Sequence, residues 1–249
     1  MRGLLFAKRN LREILRDPLS LIFCLAFPLV MLLLFQVILL GIPKEGVASV
    51  PQFQIERLAP SVVVFGFSFL TLFSGMLIAK DRSTSYLDRL RTSPLRGVDF
   101  LIGYTIPLFI MGLIQVVVGY GFSFIFGLKI SGSLFLSILT MLPICLIFIG
   151  LGLILGTLLS DKSVGGISSL IVNAAAILGG MFMSLETMAE AFRIICYSLP
   201  FASSLKFTNL IYLGNYQESL MYGLIVLDYM VVIIGLAILI FTKKLTKQK

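Results

Sequence analysis

Asp228 is the one acidic side chain deep inside an uncharged apolar run, Ser219 to Thr242, where it stands about nine residues and about 13 Å from the start. A carboxylate at that depth costs roughly 3 kcal/mol in hydrocarbon. It is therefore expected to face neighbouring helices or a wet cavity, either hydrogen-bonded to a partner such as Asn173 or Gln115 or forming part of a transport path. Asp228, Asn173 and Gln115 are thus the candidates for polar work inside the apolar part of the chain. The rest of the reactive repertoire is thin. There is no histidine, which removes histidine-based triads and zinc-protease ligand sets. An intramembrane aspartyl protease needs two buried aspartates, and only Asp228 qualifies. No G-x-x-x-x-G-K-[ST] loop is present to cradle ATP phosphates. Neither cofactor nor metal is expected in this chain, and it does not read as an enzyme. Cys24, Cys145 and Cys196 have no paired spacing and read as small apolar fillers.

The elements that must position these residues follow from composition. With 58% hydrophobic and 13% charged residues and a mean hydropathy of +1.05, the chain is far from the roughly 25% charge of a soluble domain. It reads as an all-α polytopic membrane protein, one domain over residues 1–249. Six transmembrane helices are expected at approximately 19–41, 59–79, 101–127, 133–159, 164–184 and 219–241, each near the length that crosses a bilayer. Long apolar runs without period-2 alternation mean helices rather than barrel strands. Of the 20 basic residues, those of the N-terminal segment, the Lys80 to Asp99 loop, Lys162 and the C-terminal tail all fall on one side. The other side receives Lys44, Arg57, Lys129, Arg193 and Lys206. The basic side is the cytoplasmic side, so both termini are expected inside a cell membrane. The charge of +8 is then topology; with no basic soluble domain, nucleic acid is not an expected partner.

Residues 1–17 are too polar to span. Leu4, Ala7, Leu11, Ile14 and Leu15 share one helical face, with Arg2, Arg9, Arg12, Glu13 and Arg16 opposite, the pattern of an interfacial amphipathic helix on the bilayer. Asp17 is suited to cap the next helix, with Pro18 at its first position. Gly152 and Gly156 form a small-xxx-small pair that should face a neighbouring helix. Leu185 to Glu218 holds apolar patches too short to span, broken by Glu186, Glu190, Arg193, Pro200 and Lys206. It is expected as a short re-entrant or interfacial hairpin between spans five and six.

The longest polar insert is Lys80 to Tyr104, KDRSTSYLDRLRTSPLRGVDFLIGY. Ser85 can cap a short helix, with Asp88 in capping-box position and Ser93-Pro94 as the stop. Tyr86, Leu87 and Leu90 share one side, flanked by Arg89 and Arg91. So short a helix is marginal alone and is expected to dock on something.

LDRLRTSPL, followed by the glycine-marked helix start at Gly103, resembles the first cytoplasmic loop of type-2 ATP-binding-cassette (ABC) export permeases, and the likeness covers nearly the whole chain. That resemblance implies a coupling helix between spans two and three that sits in a groove of a separate ATPase subunit. Tyr86, Leu87, Arg89, Leu90, Ser93 and Pro94 would carry the ATPase coupling. It further implies two permease copies, identical or related, with ATP and Mg bound by the partner ATPase. Gly180 and Pro200 match the glycine and proline that bracket the external hairpin in that family, whereas Ser184 and Met188 stand where it usually has prolines. The alternative function is an ion-coupled secondary carrier or ion-pathway protein using Asp228. No residue in the sequence selects a substrate.

Overall fold

The computed structural model describes residues 2–43, 50–84 and 97–246, and these are mainly helical, without a strand. In chain order the helices are α1 (Arg2–Arg16), α2 (Pro18–Leu40), α3 (Ile55–Ser83), α4 (Gly97–Ser123), α5 (Gly132–Leu158), α6 (Asp161–Leu178), α7 (Glu190–Ser198), α8 (Pro200–Tyr212) and α9 (Tyr216–Thr246). Five of them, α2, α3, α4, α5 and α9, are long and apolar enough to cross a membrane. α6, with 18 residues, falls outside that set because it opens on Asp161-Lys162 and is less apolar. The apolar run expected to reach residue 184 holds a helix only to Leu178. Gly179-Gly180 ends it, Gly180 taking a φ of +79°, which a side chain would resist.

α3 is the axis of the bundle. Of its apolar window 83% is buried, against 28% for α2 and 22% for α9, so the other helices are arranged around it. α5 and α6 pack along it, and α2, α4 and α8 also touch it. The contact with α5 is close because the glycines permit it. A Cβ on Gly156 would stand 2.5 Å from the Gly75 carbonyl and 2.9 Å from the Ile78 Cβ, and one on Gly152 would run into Ser74. The pair Gly152 and Gly156 therefore does face a neighbouring helix. Across the same contact the Thr71 hydroxyl donates to the Phe148 carbonyl at 2.8 Å.

α1 is tied into α4 rather than lying free, and its buried residues are Gly3, Phe6, Ala7, Asn10 and Ile14. This differs from the expected split into one apolar and one polar face. Ala7 and Ile14 are buried as anticipated, but Leu4 and Leu15 are 58% and 44% exposed, while Phe6 and Asn10 turn inward. The helix has three sides: one against protein, one apolar and exposed, and one basic. Asp17 caps α2, accepting from the Leu19 and Ser20 amides with Pro18 at the first position. The segment between α6 and α9 contains α7 and α8, nine and 13 residues long, too short to cross a bilayer. Lys206 pairs with Glu186 at 3.3 Å there, and Tyr229 of α9 donates to the Ser198 carbonyl.

Candidate functional site

Proline organises the polar interior. A proline has no N–H to give the carbonyl four residues back, so that carbonyl needs another donor. In α2, Pro28 orphans the Cys24 carbonyl, and the chain there widens into a π-helical turn over Ile22–Ala26. The Gln115 amide of α4 supplies the donor, 2.7 Å from the Cys24 carbonyl and 3.1 Å from that of Gly66 in α3. In α4, Pro107 orphans the Gly103 carbonyl, and the Asn10 amide of α1 donates to it at 2.9 Å in a buried site. Gly103 leaves room for the Phe6 ring, which packs edge-on to Phe100 and Tyr104 with centroids 5.9 and 5.0 Å away.

Beside this contact lies an ionic cluster at the end of α3 and the start of α4, the two helices that flank residues 85–96. Asp81 is 2% exposed. It receives Arg9 in a two-pronged pair at 2.9 and 3.1 Å and the Tyr104 hydroxyl at 2.8 Å. Glu13 then bridges Arg9, at 2.8 Å, to Lys80, at 3.0 Å. A buried carboxylate tolerates such a place only when its charge and lone pairs are met, and removing one partner typically costs about 3–5 kcal/mol. Arg9, Asp81 and Tyr104 therefore act as one unit that fixes α1, α3 and α4 together.

The neighbouring end of α5 is held by two cations. Arg82 donates to the carbonyls of Gly156, Thr157 and Leu159 at 2.7–3.0 Å. Lys244, from the far end of α9, donates to that of Thr157 at 2.6 Å. Both meet the unsatisfied carbonyls and negative end of a helix dipole. The basic ends of α3 and α9 are thus joined through the terminus of α5.

The structure does not link the three polar candidates to one another by hydrogen bonds. Gln115 is buried and committed to α2 and α3, with its Oε1 left without a partner among the described residues. Asn173 is exposed on α6 and donates to the Ser169 carbonyl one turn back. Asp228 is exposed on the outer side of α9, between Leu224 and Val231, which are 68% and 64% exposed. Of the two placements expected for it, neighbouring helices or a wet cavity, the first is not met within the single chain. Val226, Ile233, Ala237 and Phe241 take the inward side of α9, and the helical period turns Asp228 away. Tyr86, Leu87, Arg89, Leu90, Ser93 and Pro94 lie outside the described residues.

On the opposite end of the bundle, a cavity of about 90 Å³ is lined by Arg57, Tyr197, Lys206 and Asn209 among others. Burial, and secondarily the charge of Glu186, pushes the Tyr197 hydroxyl up to about 12, so it stays a donor at neutral pH. No cluster of metal-ligating side chains occurs among the described residues.

Sequence reading had not singled out Asn10, Arg9, Asp81, Tyr104, Arg82 or Lys244 as partners. A signal for the first did exist: Pro107 lies four residues after Gly103 and marks a carbonyl in need of a donor.

The described residues thus form a helical bundle with five membrane-length apolar helices, tied together at one basic end. The family model described as ABC-2 type transporter matches residues 4–212. The chain belongs to that family: it is an ABC-type permease, a multi-pass membrane protein and not itself an enzyme, of a kind that works with ATP-binding-cassette ATPases. A comparison with curated proteins gave no significant match.

Proposed function

We propose that this chain is the membrane subunit of an ATP-driven exporter of the plasma membrane, moving a substrate out of the cytoplasm. It pairs with a second permease copy, identical or related, above separate ATPase subunits that bind ATP and Mg. α6 serves as a sixth crossing; its 18 residues rise about 27 Å, close to the hydrocarbon thickness. The split of basic residues supports both termini on the cytoplasmic side. There, α1 lies along the bilayer surface and residues 85–94 form the coupling helix. Tyr86, Leu87 and Leu90 enter the ATPase groove, Arg89 anchors its rim, and Ser93 and Pro94 end the helix.

The observation that carries this reading is the clamp around Asp81. Arg9 and Tyr104 bond the last turn of α3 to α1 and α4, and the next residue, Arg82, bonds it to α5. A push delivered between residues 84 and 97 would meet joined helices and move them as a body, which is what coupling requires. Asp228 and Asn173, both exposed, are assigned to the transport path between permease copies, with Gln115 supporting it from within.

The test is Leu90→Asp in the assembled transporter. A packed anchor is worth more than about 2 kcal/mol, so the variant should insert normally yet lose at least tenfold in ATPase association or coupled turnover. A partner of about 25 to 35 kDa, the size of one nucleotide-binding domain, should copurify with the wild type. Normal coupling in Leu90→Asp would reduce the loop to a solvated connector.

A further inference from the structure

Between α1 and the last turn of α3 lies an open cleft of about 590 Å³, lined by Arg9, Arg12, Glu13, Arg16, Lys80 and the Asp17-Pro18 corner. Its acids are already engaged. Glu13 holds Arg9 and Lys80 at 2.8 and 3.0 Å. Asp17 accepts from the Leu19 and Ser20 amides and from the Ser20 hydroxyl. Arg9 is further committed to Asp81. Arg12 and Arg16 are different: both are exposed, and no carboxylate among the described residues engages either. They stand one turn apart on the same side of α1, close enough for both guanidinium groups to grip a single phosphate.

We propose that this cleft binds the phosphate headgroup of an anionic membrane lipid. Two observations favour a lipid over a soluble anion. α1 passes through the Asp17 cap directly into α2, so the cleft opens where the first apolar helix begins, at headgroup depth. An exposed apolar column also leads away from the arginines, from Leu15 at the end of α1 to Leu19 and Ile22 on α2, which are 44%, 59% and 51% exposed. Acyl chains would lie on this column, whereas a free phosphate has no use for it. Lys8 is also exposed on α1 but does not line the cleft, and so provides an internal control.

The experiment is native mass spectrometry of the delipidated full chain, titrated with phosphatidylglycerol or phosphatidylcholine. The wild type should bind its first phosphatidylglycerol in preference to phosphatidylcholine. The double variant Arg12→Ala/Arg16→Ala should lose on the order of 30-fold in that preference, from two cations near a charged surface. Lys8→Ala should keep it. Arg12→Gln/Arg16→Gln, which keeps length and polarity but removes both charged forks, should lose it as the alanine variant does, and an unchanged preference there overturns the site even if the alanine variant folds poorly. Helicity by circular dichroism confirms that each variant is folded. An unchanged preference in folded Arg12→Ala/Arg16→Ala overturns the site. Displacement of phosphatidylglycerol by millimolar inorganic phosphate would assign the cleft to a free anion and overturn the lipid reading.

Discussion

Gln115 shows how one side chain can complete two helices. It answers the vacancy left by Pro28 in α2 and at the same time bonds α3 through Gly66. Gln115→Leu keeps the bulk and removes both donors. In water a buried group left without a partner costs about 1–3 kcal/mol, but hydrogen bonds between membrane helices average nearer 0.6 kcal/mol and reach about 1.7. The expected loss is therefore about 1–2 kcal/mol, read as a lower midpoint of unfolding in denaturing detergent. A midpoint equal to the wild type would show that the π-helical turn satisfies Cys24 by other means. The need was legible in the sequence, because each proline names the carbonyl it abandons. The donor was not: Asn10 answers Gly103 across 93 positions of sequence, and such pairings exist only in the folded arrangement. The ionic partners of Asp81 are hidden for the same reason, since isolated charges at helix ends look alike until packing brings them together.

At the scale of elements, apolar length was legible and orientation was less so. The helices α2 to α5 and α9 are long and apolar, as uncharged runs without period-2 alternation favour, because a helix meets its backbone hydrogen bonds within itself. α1 departs in rotation rather than in kind. Its leucines mark an apolar side, yet the room above Gly103 and the carbonyl beneath Pro107 draw Phe6 and Asn10 inward and leave Leu4 and Leu15 outside. Glycine spacing was the better guide for α5. Gly156→Val would place a branched side chain against Gly75 and Ile78, where even a first carbon is 2.5 Å from backbone. Overpacking of this kind costs about 1–3 kcal/mol. α3 and α5 should separate, and cysteine pairs across them should cross-link more slowly than in the wild type. An unchanged cross-linking rate would mean that the two helices are not held at this distance.

For the whole molecule, the most informative residue is the one the single chain leaves uncovered. Asp228 lies near the middle of α9 on an otherwise apolar outer surface, where contact with lipid would cost roughly 3 kcal/mol. An assembled transporter that covers this surface, or wets it, removes the penalty. Asp228→Asn keeps size and hydrogen bonding but removes the charge. It should lower transport while leaving ATPase association unchanged, measured side by side in the same vesicles. Full transport at every pH tested would take Asp228 out of the path and would also leave an ion-coupled carrier without its proton site. The exposed Asn173 of α6 gave no such warning in the sequence, because a neutral amide satisfied by its own helix carries little cost wherever it points.

The two cations at the end of α5 also set an order of events during synthesis. The chain leaves the ribosome from its N-terminus, so Arg82 emerges before Leu159 and can close on the carbonyls of α5 as they follow. Lys244 follows some 85 residues later, at the end of the last apolar helix. Until then the terminus of α5 is held from one side only. A chain interrupted before Lys244 would leave that helix end held by Arg82 alone.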